Sequence, residues 1–332
     1  MSESPAPHPE SLLPFKSVSI RGRLPGPRLI VLGAVHGNET CGSVAQRRLL
    51  DEIDAGRTVI TSGLVTFVPV ANALAYACGR RMGDRNLNRA LAPTTEPRVF
   101  EDHVANWLCP LLAAHDVLLD LHSFQADGQP FVMVGPPDND GPIEPFALAG
   151  REEALARSLG VGRAVDGWLS TYARGARVRS ERPAASGAER DLDWRFGVGT
   201  TEYMRSCGGY AVTLECGQHR DLDAPRVAER AIRGALSLLG LTRGEPPTAV
   251  VLSESLHLQE VVDKLHVDDR LARAWRSFDA IVAGEVIATR ADGSALVAPF
   301  DGRIVFPNPS ALPDEEWFYL ACNSDRFAPA AG

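Results

Sequence analysis

With 332 residues, 45% hydrophobic and 23% charged, the chain can bury a substantial core, which excludes a disordered, fibrous or peptide-sized scaffold. Its 34 basic and 42 acidic side chains leave a net charge of -8, which opposes sequence-independent attraction to nucleic acid or anionic lipid. No apolar run approaches the roughly 18 to 20 residues that span a bilayer, and Met1-Ser2-Glu3-Ser4-Pro5 lacks the basic and apolar stretches of a secretory signal, so a cytoplasmic location is expected.

The run Leu29-Ile30-Val31-Leu32-Gly33-Ala34-Val35 predicts a strand covered on both faces, ending at His36. Over residues 40–55, Val44, Leu49, Leu50 and Ile53 recur at helical spacing, with Gly56 as the stop. A second strand is expected over 64–70, then an arginine-rich loop over 71–89 and a helix over 98–114. Val117-Leu118-Leu119-Asp120-Leu121 predicts a third strand that also ends at a histidine, His122. Further strands are expected at 131–134 and 210–214, and helices at 145–158 and 225–239. Residues 173–199 are rich in Arg, Ala and Gly and weakly periodic, so a long surface loop or lid is expected there. Alternating strands and helices predict an α/β domain with a mainly parallel sheet flanked by helices. After Gly244-Glu245-Pro246-Pro247 the segments 249–252, 279–288, 294–298 and 302–306 are short, β-rich and broken by glycine and proline. Residues 1–247 therefore read as a catalytic α/β domain and 248–332 as a smaller β-rich domain.

Chemistry concentrates where these strands end. At the carboxyl end of a parallel strand, side chains face the usual ligand crevice of an open α/β sheet. His36 and Glu39, three apart in a tight turn, can point at one metal ion with donors that suit zinc. His122 at a second strand end can converge on the same ion, leaving a position for water, and Asp120 can orient a ligand from behind. Glu215 interrupts the apolar strand Val212-Thr213-Leu214; alternation alone leaves open whether it faces solvent or is buried as a general base with a raised pKa. Arg80, Arg81, Arg85, Arg89 and Arg205 are candidates for fork-like carboxylate binding or oxyanion stabilisation. His219 follows Glu215 closely enough to reach the same pocket. Six scattered cysteines, Cys41, Cys78, Cys109, Cys207, Cys216 and Cys322, form no CxxC pair and suit reduced thiols better than a thiolate metal site.

In this order and at these separations, His36-Gly37-Asn38-Glu39, Asn86-Leu87-Asn88-Arg89, Asp120-Leu121-His122 and Leu214-Glu215-Cys216-Gly217 resemble the succinylglutamate desuccinylase/aspartoacylase family, within the zinc carboxypeptidase-like hydrolases. The resemblance implies a mononuclear zinc amidohydrolase, with one Zn2+ per chain, that removes an acyl group from a small N-acyl amino acid by metal-activated water. It implies His36, Glu39 and His122 as zinc ligands, Glu215 as general base and Arg81 as the residue that polarises the scissile carbonyl. It also implies Asn88, Arg89 and Arg205 as substrate-binding residues and an appended C-terminal β domain. Where the family commonly has Asp-Leu-Asn-Arg, this chain has Asn86, so a negative charge that could orient nearby arginines is missing.

Two other readings share these residues. A metallocarboxypeptidase acting on peptides would use the same machinery, and a non-catalytic zinc-binding or regulatory protein would keep the fold without turnover. The arginines 174, 177, 179, 182 and 190 read as a solvated cluster that could also recruit an acidic substrate. Residues 284–306 resemble barrel-sandwich folds that carry lipoyl or biotinyl groups, but no lysine sits there, which excludes a carrier role. A homo-oligomer is compatible with the sequence, which does not specify one.

Overall fold

A computed structural model describes residues 14–182, 192–243 and 250–327. In chain order its first part comprises β1 (Val18–Arg21), β2 (Leu24–Gly33), α1 (Cys41–Asp54), β3 (Ser62–Val68), α2 (Ala73–Cys78), α3 (Phe100–Ala113), β4 (Val117–Phe124) and β5 (Phe131–Met133). Then come α4 (Ala149–Ser158), β6 (Arg163–Asp166), α5 (Trp168–Glu181), α6 (Thr200–Ser206), β7 (Tyr210–Gln218) and α7 (Ala224–Leu238). The rest is strand: β8 (Glu254–Asp263), β9 (Arg270–Leu271), β10 (Ala280–Ile281), β11 (Val286–Thr289), β12 (Ala295–Val297), β13 (Gly302–Val305) and β14 (Glu316–Asn323).

Strands order as β1-β3-β2-β4-β7-β5-β6-β8-β14-β13-β10 in one mixed sheet of 11 strands, with β12-β11-β9 forming a second sheet. The centre, β3-β2-β4-β7, is parallel, and its apolar runs are buried on both faces as such strands require. Alternation assigns the faces. Leu29, Val31, Leu119, Leu121, Val212 and Leu214 pack with residues of α1, α4 and α7. Ile30, Leu32, Leu118 and Ala211 pack with α2, α3 and α6. The α/β fold with flanking helices and C-terminal antiparallel strands is the architecture the alternating elements predict.

Several expectations need correction. The strand through Leu121 does not stop at His122; β4 continues to Phe124, so the histidine is a strand residue. Residues 250–252 are not strand, and β8 begins at Glu254. The first third of the loop expected over 173–199 is helix, since α5 reaches Glu181, while residues 183–191 lie outside the described residues. Its buried face consists of Leu169, Thr171, Tyr172, Gly175, Ala176 and Arg179; small and charged residues among those inward positions conceal the apolar periodicity. Nor is the arginine cluster solvated throughout. Arg174 donates to the carbonyls of Leu258 and Gln259, and Arg179 makes a buried two-point pair with Asp263, so both pin α5 to β8. Arg190 lies outside the described residues, as does the boundary expected between 247 and 248. On either side of that boundary the sheet is continuous, because β6 pairs in parallel with β8. No helix among the described residues is long and apolar enough to cross a membrane.

Candidate active site

A cavity of about 580 Å³ opens at the carboxyl ends of β2, β4 and β7, walled further by α5, α6 and β14. The face of β4 and β7 opposite Leu121 and Leu214 carries Asp120, His122, Thr213 and Glu215, all buried. Parallel register sets Asp120 beside Thr213 and His122 beside Glu215. Pairing of two apolar strands thus brings the candidate base next to a candidate ligand.

The third element is the turn after β2. Glu39 closes it with a bond from its N–H to the His36 carbonyl, at 3.1 Å. Gly37 lies so close to the end of α2 that a Cβ would sit 2.0 Å from the carbonyl carbon of Ala75, which explains a residue without a side chain between the two candidate ligands. His36 Nδ1 lies 2.9 Å from Glu39 Oε1, and His122 Nδ1 lies 2.9 Å from Glu39 Oε2. Ligand atoms of the three buried residues all fall within 4.8 Å of one another. Despite its approach to Glu39 Oε1, His36 Nδ1 is a buried atom that makes no hydrogen bond of good geometry among the described residues, so the arrangement fits a divalent ion held by two nitrogens and a carboxylate.

Each imidazole is fixed from behind. Asn86 Oδ1 sits 3.1 Å from His36 Nε2, and Asp120 Oδ2 sits 3.0 Å from His122 Nε2, leaving Nδ1 of both rings turned inward. Asn86 therefore supports a candidate ligand directly, and its Oδ1 also accepts from the Asn88 N–H, while its backbone carbonyl accepts from Arg85. Burial pushes His36 down to about 4, which keeps it in the neutral form a ligand needs. Although burial opposes it, the two imidazoles of His36 and His122 against its oxygens hold Glu39 well below the usual carboxylate range.

Glu215 is 7% exposed, which decides the question alternation left open. Burial pushes its carboxyl up to about 8 against the opposing charge of His122, and Oε2 has no hydrogen-bond partner among the described residues. Arg81 reaches the centre from the loop after α2, its Nη1 2.9 Å from Glu39 Oε1. That loop is organised by Glu101 of α3, which the sequence reading missed. The Glu101 carboxylate accepts from the Asn72 amide and from the N–H groups of Gly83, Asp84 and Arg85, so one buried acid shapes the segment that delivers Arg81 and Asn86.

Asn88, Arg89 and Arg205 all line the cavity, but they differ in what they have left to offer. Arg205 is enclosed by Glu144, Glu152 and Glu202, and it also donates to the Ala211 carbonyl. A guanidinium has five N–H donors; with these four bonds made, the expected fork-like grip on a substrate carboxylate has no pair of donors to use. Burial, with Glu202 and Glu152 nearby, pushes Glu144 up to about 7 even beside Arg205, the mark of a cation shared among surplus acids. Arg205→Ala leaves buried carboxylates unpaired and is expected to destabilise the protein by about 3 to 5 kcal/mol, read as a lower denaturant midpoint. An unchanged midpoint with lost activity would return Arg205 to substrate binding. Arg89 stacks over Trp168, 4.9 Å from the ring centroid, and pairs with Glu316 through Nη2 alone. Its Nη1 donates to the Asn88 carbonyl, and Nε has no partner among the described residues. Sequence reasoning also missed the far wall, where Glu316 and Tyr319 of β14 join Trp168 and Tyr172 of α5.

Residues 25–159 match the family described as succinylglutamate desuccinylase/aspartoacylase catalytic domain. No curated protein sequence matches the chain. Solved structures similar to it include a succinylglutamate desuccinylase/aspartoacylase from Rhodobacter sphaeroides, at 18% identity and a TM-score of 0.68, covering 93% of this chain and 90% of that one. The product-bound ectoine utilization protein EutE (DoeB) from Ruegeria pomeroyi is similar at 20% identity and 0.66, covering 92% and 88%. An aspartoacylase family protein from Mesorhizobium loti is similar at 20% identity and 0.64, covering 94% and 90%. At such identities the likeness is one of fold. The family match over residues 25–159 agrees with the resemblance that the motifs carry.

Proposed function

We propose that the protein is a zinc-dependent deacylase that hydrolyses the amide bond of a small N-acyl amino acid. The observation that carries this reading is the buried His36, Glu39 and His122 cluster facing a large cavity, with Glu215 in register beside His122. When bound, zinc supplies a Lewis acid that acidifies water and polarises a carbonyl. Asn86 and Asp120 keep the two imidazoles turned toward the ion. Glu215 takes the proton of the attacking water and passes it to the departing nitrogen, so acid and amine leave with the proton count balanced. Burial raises the affinity of Glu215 for that proton, while the cation beside it favours the ionised state that begins the cycle. Arg81 donates to the acyl oxygen as negative charge develops there.

On the amino-acid side, Arg89 through Nε and Asn88 through its side-chain NH2 are the groups that take a carboxylate, while Arg205 holds the wall. The wall that β14 adds to the cavity favours small substrates over the peptides of a metallocarboxypeptidase. The test is a release assay over N-acetyl, N-succinyl and longer N-acyl amino acids, each beside its neutral amide, on protein of measured zinc content. Turnover of at least one N-acyl amino acid is expected, with kcat/KM about 10-fold or more above that of its amide, as loss of a charge-assisted hydrogen bond predicts. Equal values for acid and amide would overturn carboxylate anchoring. Stoichiometric zinc without turnover of any member would favour a binding protein of the same fold.

A further inference from the structure

We propose that His219 is a second hydrogen-bonding group of this active site, its Nε2–H donating to an oxygen of the bound substrate, with Ser123 as the positioning residue that fixes it for that task. The assignment rests on the deacylase reading and adds a residue to it.

Glu215 and, just past the end of β7, His219 both line the cavity. Gly217 is at φ 119°, a conformation that favours glycine, and the pairing of β4 with β7 shifts register between His122 and Phe124. The backbone N–H of His219 is nonetheless held by the Phe124 carbonyl at 3.0 Å. The imidazole is thereby anchored on the cavity wall with His122, Glu215 and Arg81.

The tautomer follows from counting protons. Ser123 Oγ lies 2.9 Å from His219 Nδ1, and Ser123 is 3% exposed. Among the described residues its hydroxyl has no other partner. Were Nδ1 the donor, the serine proton would be buried with nothing to accept it, a costly arrangement. Ser123 therefore donates, Nδ1 accepts, and the ring proton sits on Nε2. Nε2 has no protein partner among the described residues, so the cavity receives one fixed donor from this side. Burial holds His219 below its ordinary pKa, so at neutral pH it is a neutral donor and not a proton source. Ser123 also ties this device to the centre, because its backbone N–H donates to Glu39 Oε2 at 3.1 Å.

The experiment uses whichever N-acyl amino acid the full-length, zinc-loaded wild type turns over fastest, with zinc content and thermal midpoint measured for every variant. His219→Ala is expected to lower kcat/KM about 10- to 30-fold, the effect of deleting one well-placed donor in a desolvated site. His219→Gln, whose side-chain N–H can fill the same place, is expected to recover most of the loss. Ser123→Ala is expected to cost about 2- to 10-fold with His219 present and nothing further in the His219→Ala background. Unchanged kcat/KM in His219→Ala overturns the assignment. So does a Gln variant as impaired as the Ala variant, which would mean acid-base chemistry or packing, and so does loss of zinc, which would mean support of the metal centre. Additive effects of the two Ala substitutions overturn the role of Ser123. A wild type that hydrolyses no member of the panel overturns the deacylase reading and this assignment with it, whereas active wild type with an unaffected His219→Ala variant overturns this assignment alone.

Discussion

Glu215→Gln is expected to keep zinc bound while losing about 100-fold or more in kcat, the range of a general acid-base contribution. Glutamine preserves the volume and the place beside His122, so the fold should be unaffected, but an amide cannot take the proton of water. The paired measurement is zinc by elemental analysis and kcat under saturating substrate. Near wild-type turnover would make Glu215 a structural residue. Loss of zinc would make it a ligand and leave the site without its base.

His36→Ala and His122→Ala are each expected to lose zinc and activity together. Removing either ring leaves two ligands, and the Glu39 carboxylate, 1% exposed, loses one of the two imidazoles it bridges. Far-ultraviolet circular dichroism should remain that of the wild type, since the sheet is held by β2, β4 and β7 and not by the ion. Full zinc occupancy in either variant would sink the ligand assignment.

The central strands were legible because parallel strands buried on both faces are continuous apolar runs, and a polar residue in such a run, such as His122 or Glu215, announces itself. The turn His36-Gly37-Asn38-Glu39 was legible for its donor spacing. Helix α5 was not, because its inward face uses Gly175, Ala176 and Arg179, and buried arginine reads as surface until its partner Asp263 is placed. The commitment of Arg205 was hidden for the same reason, since Glu144, Glu152 and Glu202 gather round it from three segments. Trp317-Phe318-Tyr319-Leu320 does carry a buried-strand signal; what no local pattern reveals is that it delivers Glu316 to Arg89, 227 residues away in sequence.

That last pairing has a consequence for the order of events during synthesis. The turn bearing His36 and the strands bearing His122 and Glu215 lie within the first two thirds of the chain, whereas β14 reaches its place between β8 and β13 about a hundred residues after Glu215 has been made. Long-range strand pairing of this kind is slow to form. Until β14 has been made, then, the cavity lacks Glu316 and Tyr319, and Arg89 is without its carboxylate. The wall opposite the His36, Glu39 and His122 cluster is thus the last part of the cavity to be synthesised.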